Sequence, residues 1–121
     1  MAPTAPRTSR ASWAAQTASV SDVIARFRSA GLSVDPQPPA TSVIYGAERL
    51  DLFLIQGEMT GIYTFATVAA SARVLDDAAN GRSTASYFRT PYFVQVANLL
   101  VTVTTDDPRA AGALIKAITG P

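Results

Sequence analysis

Residues 92–119 read YFVQVANLLVTVTTDDPRAAGALIKAIT, and the order of apolar and polar residues in this stretch predicts strand, turn, strand and helix. Residues 92–96 and 99–105 are rich in the aromatic and β-branched residues that strands favour, and the Ala97-Asn98 pair between them predicts a short turn. In the second run aliphatic residues alternate with threonines, which predicts one face buried in the core and one face in contact with water.

The helix that follows has clear start and stop signals. Asp107 can cap it, Pro108 fits the first helical position, and Gly120 marks its end. Apolar residues three and four positions apart give this helix one inward stripe, formed by Ala111, Leu114, Ile115 and Ile118.

Residues 49–79 have the same order of elements as residues 92–119. A strand over 49–56 leads through a turn at Gly57-Glu58 into a returning strand over 61–65. Thr67 can cap a helix that reaches residue 79, with an inward stripe of Val68, Ala72 and Leu75. The two units share a pattern but no residue-level identity, so a duplication does not follow.

The segment before these units predicts a first helix over residues 20–30, with Ser19 as its cap and Gly31 as its end. Short strands are expected around Val34 and over residues 42–45. The elements together predict an α+β domain over residues 19–121. Its antiparallel sheet has four to six strands, helices are packed on one face, and the order is α-β-(β)-ββα-ββα.

Residues 1–18 have no periodic apolar pattern, which predicts a flexible N-terminal arm. One interpretation of the arm is a solvated linker or the remnant of a leader. The other is a segment that becomes ordered on a partner, with Trp13 as its anchor.

The composition excludes several kinds of chemistry. The chain has 121 residues, 48% of them hydrophobic and 16% charged, and its net charge of +1 gives no long-range attraction to nucleic acid or anionic membrane. Cysteine and histidine are absent, so a thiol nucleophile, a zinc-thiolate site and an imidazole base are excluded. No apolar run approaches the roughly 20 residues that span a bilayer.

Three stretches resemble small uncharacterised extracytoplasmic proteins of bacteria, either exported or lipoprotein-like, with an α+β fold. They are residues 62–65 before an Ala-rich helix, residues 89–93 before a hairpin, and residues 98–101 leading into the Asp106-Asp107-Pro108 sequence. The resemblance covers residues 50–119 and implies a secreted or periplasmic location. A lipobox cysteine is absent from this chain.

Residues 87–93 are the densest aromatic segment of the chain. One interpretation places Phe88 and Phe93 in the core with tyrosines around them. The other makes Tyr87, Arg89 and Tyr92 an exposed partner-binding surface, because tyrosine and arginine are favoured at binding hot spots.

No catalytic or metal-binding constellation stands out, and no cofactor is implied. Adjacent acids such as Asp76-Asp77 and Asp106-Asp107 diverge in direction, so solvated charge explains each pair better than metal binding does. The sequence thus predicts a non-enzymatic protein-interaction or accessory domain that binds another protein. The alternatives are a structural subunit of a larger assembly or membrane complex, and a carrier of a small apolar ligand.

Overall fold

A computed structural model describes residues 7–14, 16–40, 42–80 and 91–120. These residues form six strands, which belong to a single sheet, and three helices. They are β1 (Thr8–Arg10), α1 (Val20–Ser29), β2 (Val34–Pro36), β3 (Arg49–Ile55), β4 (Glu58–Thr64), α2 (Val68–Ala79), β5 (Tyr92–Val96), β6 (Leu99–Thr104) and α3 (Pro108–Thr119).

The six strands form one mixed sheet in the order β1-β5-β6-β4-β3-β2. Every neighbouring pair is antiparallel except β1 and β5, which run parallel. The α+β class is therefore confirmed, whereas the purely antiparallel sheet is wrong. The observed order is β-α-β-ββα-ββα, with one strand ahead of the first predicted helix.

The added strand β1 comes from the segment for which the sequence predicted no regular structure. The Phe93 N–H donates to the Arg7 carbonyl at 2.7 Å, and the Ala11 N–H donates to the Gln95 carbonyl at 2.8 Å. A strand of three residues is too short to show an alternating pattern, so the sequence did not reveal it.

Local signals at the helix starts are confirmed. Ser19 and Asp22 form a reciprocal capping box at α1, and Gly31 follows this helix with a φ of 80°. Thr67 caps α2 and Asp107 caps α3, each by accepting a backbone N–H. These caps fix where each helix begins against the end of the preceding strand.

The hairpin between β3 and β4 turns at Gln56 and Gly57, whose φ values are 51° and 78°. Two successive left-handed residues match the twist of the flanking strands, so the turn falls one residue before the predicted Gly57-Glu58 pair. The strand expected over residues 42–45 is not formed in the described residues 42–48. Tyr45 and Gly46 instead make a turn with φ values of 67° and 75°.

Helices cover both faces of the sheet, so the expectation of helices on one face is wrong. The larger core lies between the sheet and the pair α1 and α3, and includes Phe27, Val101 and Leu114. A smaller core lies on the opposite face beneath α2, and includes Leu75 and Leu100.

The central strand β6 explains this two-sided arrangement. Leu100 is fully buried on the face opposite Leu99 and Val101, and Thr102 on that same second face is only 7% exposed. The face predicted to be wet is therefore buried as well.

Within the described ranges no helix combines the length and apolar character that crossing a membrane requires.

Candidate interaction surface

Two of the four predicted partner-binding residues, Tyr87 and Arg89, lie outside the described residues. A third, Tyr92, is only 2% exposed and belongs to the larger core. The prediction that Tyr92 is part of an exposed surface therefore differs from the structure. The Arg7 guanidinium lies 4.2 Å from the centre of its ring. Tyr92 is inward because β5 alternates, so it shares the face of Val94 and Val96.

Trp13, the fourth predicted residue, packs against its own chain. Its Nε1–H donates to the Ile118 carbonyl at 2.7 Å, and the Arg26 guanidinium lies 4.3 Å from its ring centre. The indole is partly buried against the larger core. Trp13 therefore anchors the N-terminal segment to α1 and α3 within this chain.

Arg10 attaches the same segment to the opposite face. Its Nε donates to Gln95 Oε1 at 3.0 Å, and its Nη2 lies 2.7 Å from Asp76 Oδ1. Both side chains of the Arg10–Asp76 pair are more than half exposed, at 57% and 58%, so the ion pair contributes little stability. The ion pair does explain why an acidic residue, Asp76, stands near the C-terminal end of α2, a placement that the sequence alone does not explain.

The acidic residues do not converge on a common point. No group of three or more acids is placed to hold a metal ion in the described part of the chain. Asp51 is paired with Arg49 Nη2 at 2.9 Å, and this hydrogen bond raises the pKa of Arg49. The other Asp51 oxygen, Oδ2, is buried and makes no hydrogen bond to the described residues. A single carboxylate beside an arginine lacks the second group that general acid–base catalysis needs.

The most distinctive surface is a row of leucines on β3. Leu50, Leu52 and Leu54 alternate with Asp51, Phe53 and Ile55, and project from the face of the sheet that also carries α2. Met59 lies across from Leu54 in the neighbouring strand β4 and is 42% exposed. We call these four residues the open face.

The open face exists because α2 covers only part of its side of the sheet. This helix packs mainly on β5, β6 and β1, whereas the open face is carried by β3 and β4. Between the leucines lies Gly61, where an added Cβ would be 3.2 Å from Leu50 Cδ1 and 3.7 Å from Leu52 Cδ2. The leucine side chains therefore lean over a position that has no side chain of its own.

A loop extends the apolar character beside the open face. Tyr45 packs edge-on against Tyr63, with 5.2 Å between ring centres, and against Phe93, with 6.5 Å. The two residues before it, Val43 and Ile44, are 41% and 38% exposed. With Met59 they are the large apolar side chains that the described residues expose most.

The open face is not among the surfaces that the amino-acid pattern predicted. An alternating row of leucines such as that on β3 is ordinarily assigned to the core, and its exposure depends on which strands α2 covers. The exposed Met59 directly opposite that row is the signal that could have indicated a binding surface.

Surface hollows occur elsewhere. Two of them, of about 410 and 460 Å³, lie along the outer side of the α1–α3 pair and share Ala30 and Ala117. A third, of about 230 Å³, lies between β1 and α2 beside Arg10 and Asp76. Their walls are formed mainly by small side chains.

Comparisons with protein-family models, with curated proteins and with solved structures gave no match for this chain.

Proposed function

We propose that this chain is a non-enzymatic protein-interaction or accessory domain whose binding surface is the open face. The observation that carries the proposal is the partly buried leucine row of β3 with the exposed Met59 beside it, on strands that are not the main packing partners of α2. Val43 and Ile44, in the loop that leads into β3, are further exposed apolar side chains. Contiguous exposed apolar patches often mark interaction sites.

The location of this surface differs from the one that the sequence suggested. Trp13 is attached to Ile118 and Tyr92 is in the core, so neither is presented to a partner in this conformation. A contribution of Tyr87 and Arg89 stays part of the proposal, because exposed tyrosine and arginine are favoured in interfaces.

The test compares two charge insertions on opposite sides of the molecule. Met59→Arg places a cation on the open face, and Ala113→Arg places one at an exposed position of α3. Each variant is expressed in the native host and cross-linked in living cells, and the captured proteins are quantified. We expect Met59→Arg to lose partners that the parent chain and Ala113→Arg retain.

Equal capture by all three proteins would contradict the proposal, provided that circular dichroism shows both variants to be folded. Met59→Gln serves as a milder second variant, because it keeps the length of the side chain while adding a polar amide.

A permanent structural subunit is the alternative that uses the same surface, since apolar interfaces are typical of obligate assemblies. It predicts that the purified chain sediments as part of a complex that withstands dilution. The ligand-carrier alternative requires an apolar pocket between sheet and helices, and the described hollows lie on the outer side of the helices or at the sheet edge.

An extracytoplasmic location is kept as part of the proposal. It is supported by the resemblance over residues 50–119 and is tested by fractionating cells that express the tagged chain from its native locus. Recovery of the chain only with cytoplasmic markers would contradict it.

A further inference from the structure

The two faces of the sheet are covered unequally. Strands in a sheet are about 4.8 Å apart, so six strands span about 24 Å, and an α-helix is about 10 Å in diameter. Two helices side by side therefore cover such a sheet. One face has two, with α1 beside α3, whereas the other has α2 as its described helix.

The open face corresponds in position to the part of the opposite face that α1 covers. α3 packs on β5, β1 and β6, as α2 does from the other side, while α1 reaches towards β2. A helix laid over the open face beside α2 would thus restore the layer that the fold already builds on its other side. Helices pack against each other at about 8–10 Å between axes, which fits the width of this uncovered strip.

Acidic residues flank the open face. Residues 34–64 contain four acids and one arginine. Asp51 and Glu58 pair with Ile62 and Ile55 on the opposite face, so the acids of this segment that flank the open face are Asp35 and Glu48. The single arginine, Arg49, alternates to the opposite face with Asp51 and is bonded to it.

Exposed acids lie at both ends of the leucine row. Asp35 is the cross-strand neighbour of Leu54 and projects from the same face, and Glu48 is exposed two residues before Leu50. An occupant with cations along its borders would complement this rim.

Resting on the proposed function, we infer that the occupant is an amphipathic α-helix of a partner protein, with one aliphatic stripe and Lys or Arg along its borders. Its stripe packs on Leu52, Leu54 and Met59, and its cations face Asp35 and Glu48. This is the helix-in-groove mode of recognition, in which residues at positions i, i+3, i+4 and i+7 make the contacts.

The test uses three synthetic peptides of equal length. The first has a leucine stripe bordered by lysines, the second has the same stripe bordered by glutamates, and the third has the composition of the first in scrambled order. Calorimetric titration into the full chain gives the Kd values. We expect the lysine-bordered helix to bind at least about tenfold more tightly than either other peptide.

Variants of the protein locate the bound peptide. Met59→Arg should weaken binding by about tenfold or more and Met59→Gln by about threefold, because a methionine contact is lost from the interface. Asp35→Lys should reduce the preference for lysine borders, and Ala113→Arg should leave the Kd within about twofold.

Other outcomes overturn the inference. Tighter binding of the glutamate-bordered helix refutes the charge argument, and equal binding of the scrambled peptide refutes the helical stripe. If the parent chain sediments as a dimer and Met59→Arg as a monomer, the occupant of the open face is a second copy of this chain. If nuclear Overhauser contacts join residues 81–90 to Leu52 or Met59, the occupant is a segment of this same chain.

The two proposals fail separately. If no helical peptide binds while Met59→Arg still abolishes partner capture in cells, the inferred partner is wrong and the proposed function stands. If neither the peptides nor the captured proteins respond to Met59→Arg, both are wrong.

Discussion

Replacing Trp13 by alanine tests whether the N-terminal segment is an integral part of the fold. The indole is partly buried, donates to the Ile118 carbonyl at 2.7 Å and lies beneath the Arg26 guanidinium at 4.3 Å. A solvated arm would contribute nothing measurable, whereas a docked one contributes to the free energy of unfolding.

The size of the effect follows from these contacts. Truncating a fully buried tryptophan to alanine costs about 3–5 kcal/mol, and a partly buried one about half of that, so we expect a loss of about 2 kcal/mol. Trp13→Phe keeps an aromatic ring but removes the hydrogen bond, and should cost about 1 kcal/mol. For a chain of this size, each kcal/mol lowers the melting temperature by about 3–5 °C.

Thermal unfolding followed by far-ultraviolet circular dichroism measures both variants. Tryptophan fluorescence is unsuitable because Trp13 is the sole tryptophan of the chain. Val43→Ala is the matched control, since it truncates an apolar side chain that is 41% exposed, and should change the melting temperature by about 1 °C or less. A Trp13→Ala melting temperature equal to that of the control would refute the docked segment.

Three further predictions concern the sheet and its caps. Gly61→Ala should lower stability by about 1–3 kcal/mol, because its Cβ would lie 2.9 Å from Thr102 Oγ1, and adding Thr102→Ala should restore part of the loss in urea denaturation. Asn98→Ala should cost about 2 kcal/mol in the same assay, since it removes hydrogen bonds that join two other segments to the β5–β6 turn. The backbone and hydroxyl of Ser19 lower the pKa of Asp22 below 3.8, so this carboxylate stabilises the fold above that value and the effect is lost as the pH falls. In an NMR titration, Ser19→Ala should move the pKa of Asp22 upward, and an unchanged value would contradict the capping box.

The hairpin–helix units could be predicted because their signals are local. Thr67 and Asp107 are good caps by residue type alone, and alternation along β5 and β6 defines two strands without knowledge of the rest of the chain. Positions such as these specify both the element and its start.

The burial of Tyr92 could also have been predicted. Its position two and four residues before Val94 and Val96 places it on their side of the strand, and this pattern outweighs the preference of tyrosine for interfaces. The exposed-surface interpretation was based on residue type and neglected the alternation.

Other features were beyond reach of the sequence for a physical reason. The strand β1 is held by backbone hydrogen bonds to β5, and the residues that form it have no preference that reveals such a pairing. The side on which α2 packs depends on how the chain leaves β4, so a stripe of apolar residues on the helix does not specify which face of the sheet it covers. Since that choice creates the open face, the sequence offered only Met59 opposite the leucine row as a signal of the candidate site.

The attachment of Trp13 to Ile118 joins residues 105 positions apart in sequence. At translation speeds of about 5–20 residues per second, a ribosome needs about 5–20 s to produce α3 after Trp13 has been made. During that interval the indole lacks its partner in α3, and for most of it the edge of β5 that β1 will occupy has not been made either. The segment from β1 to Trp13 therefore docks only after β5 and α3 have been synthesised, and truncations that remove α3 should release β1 as well.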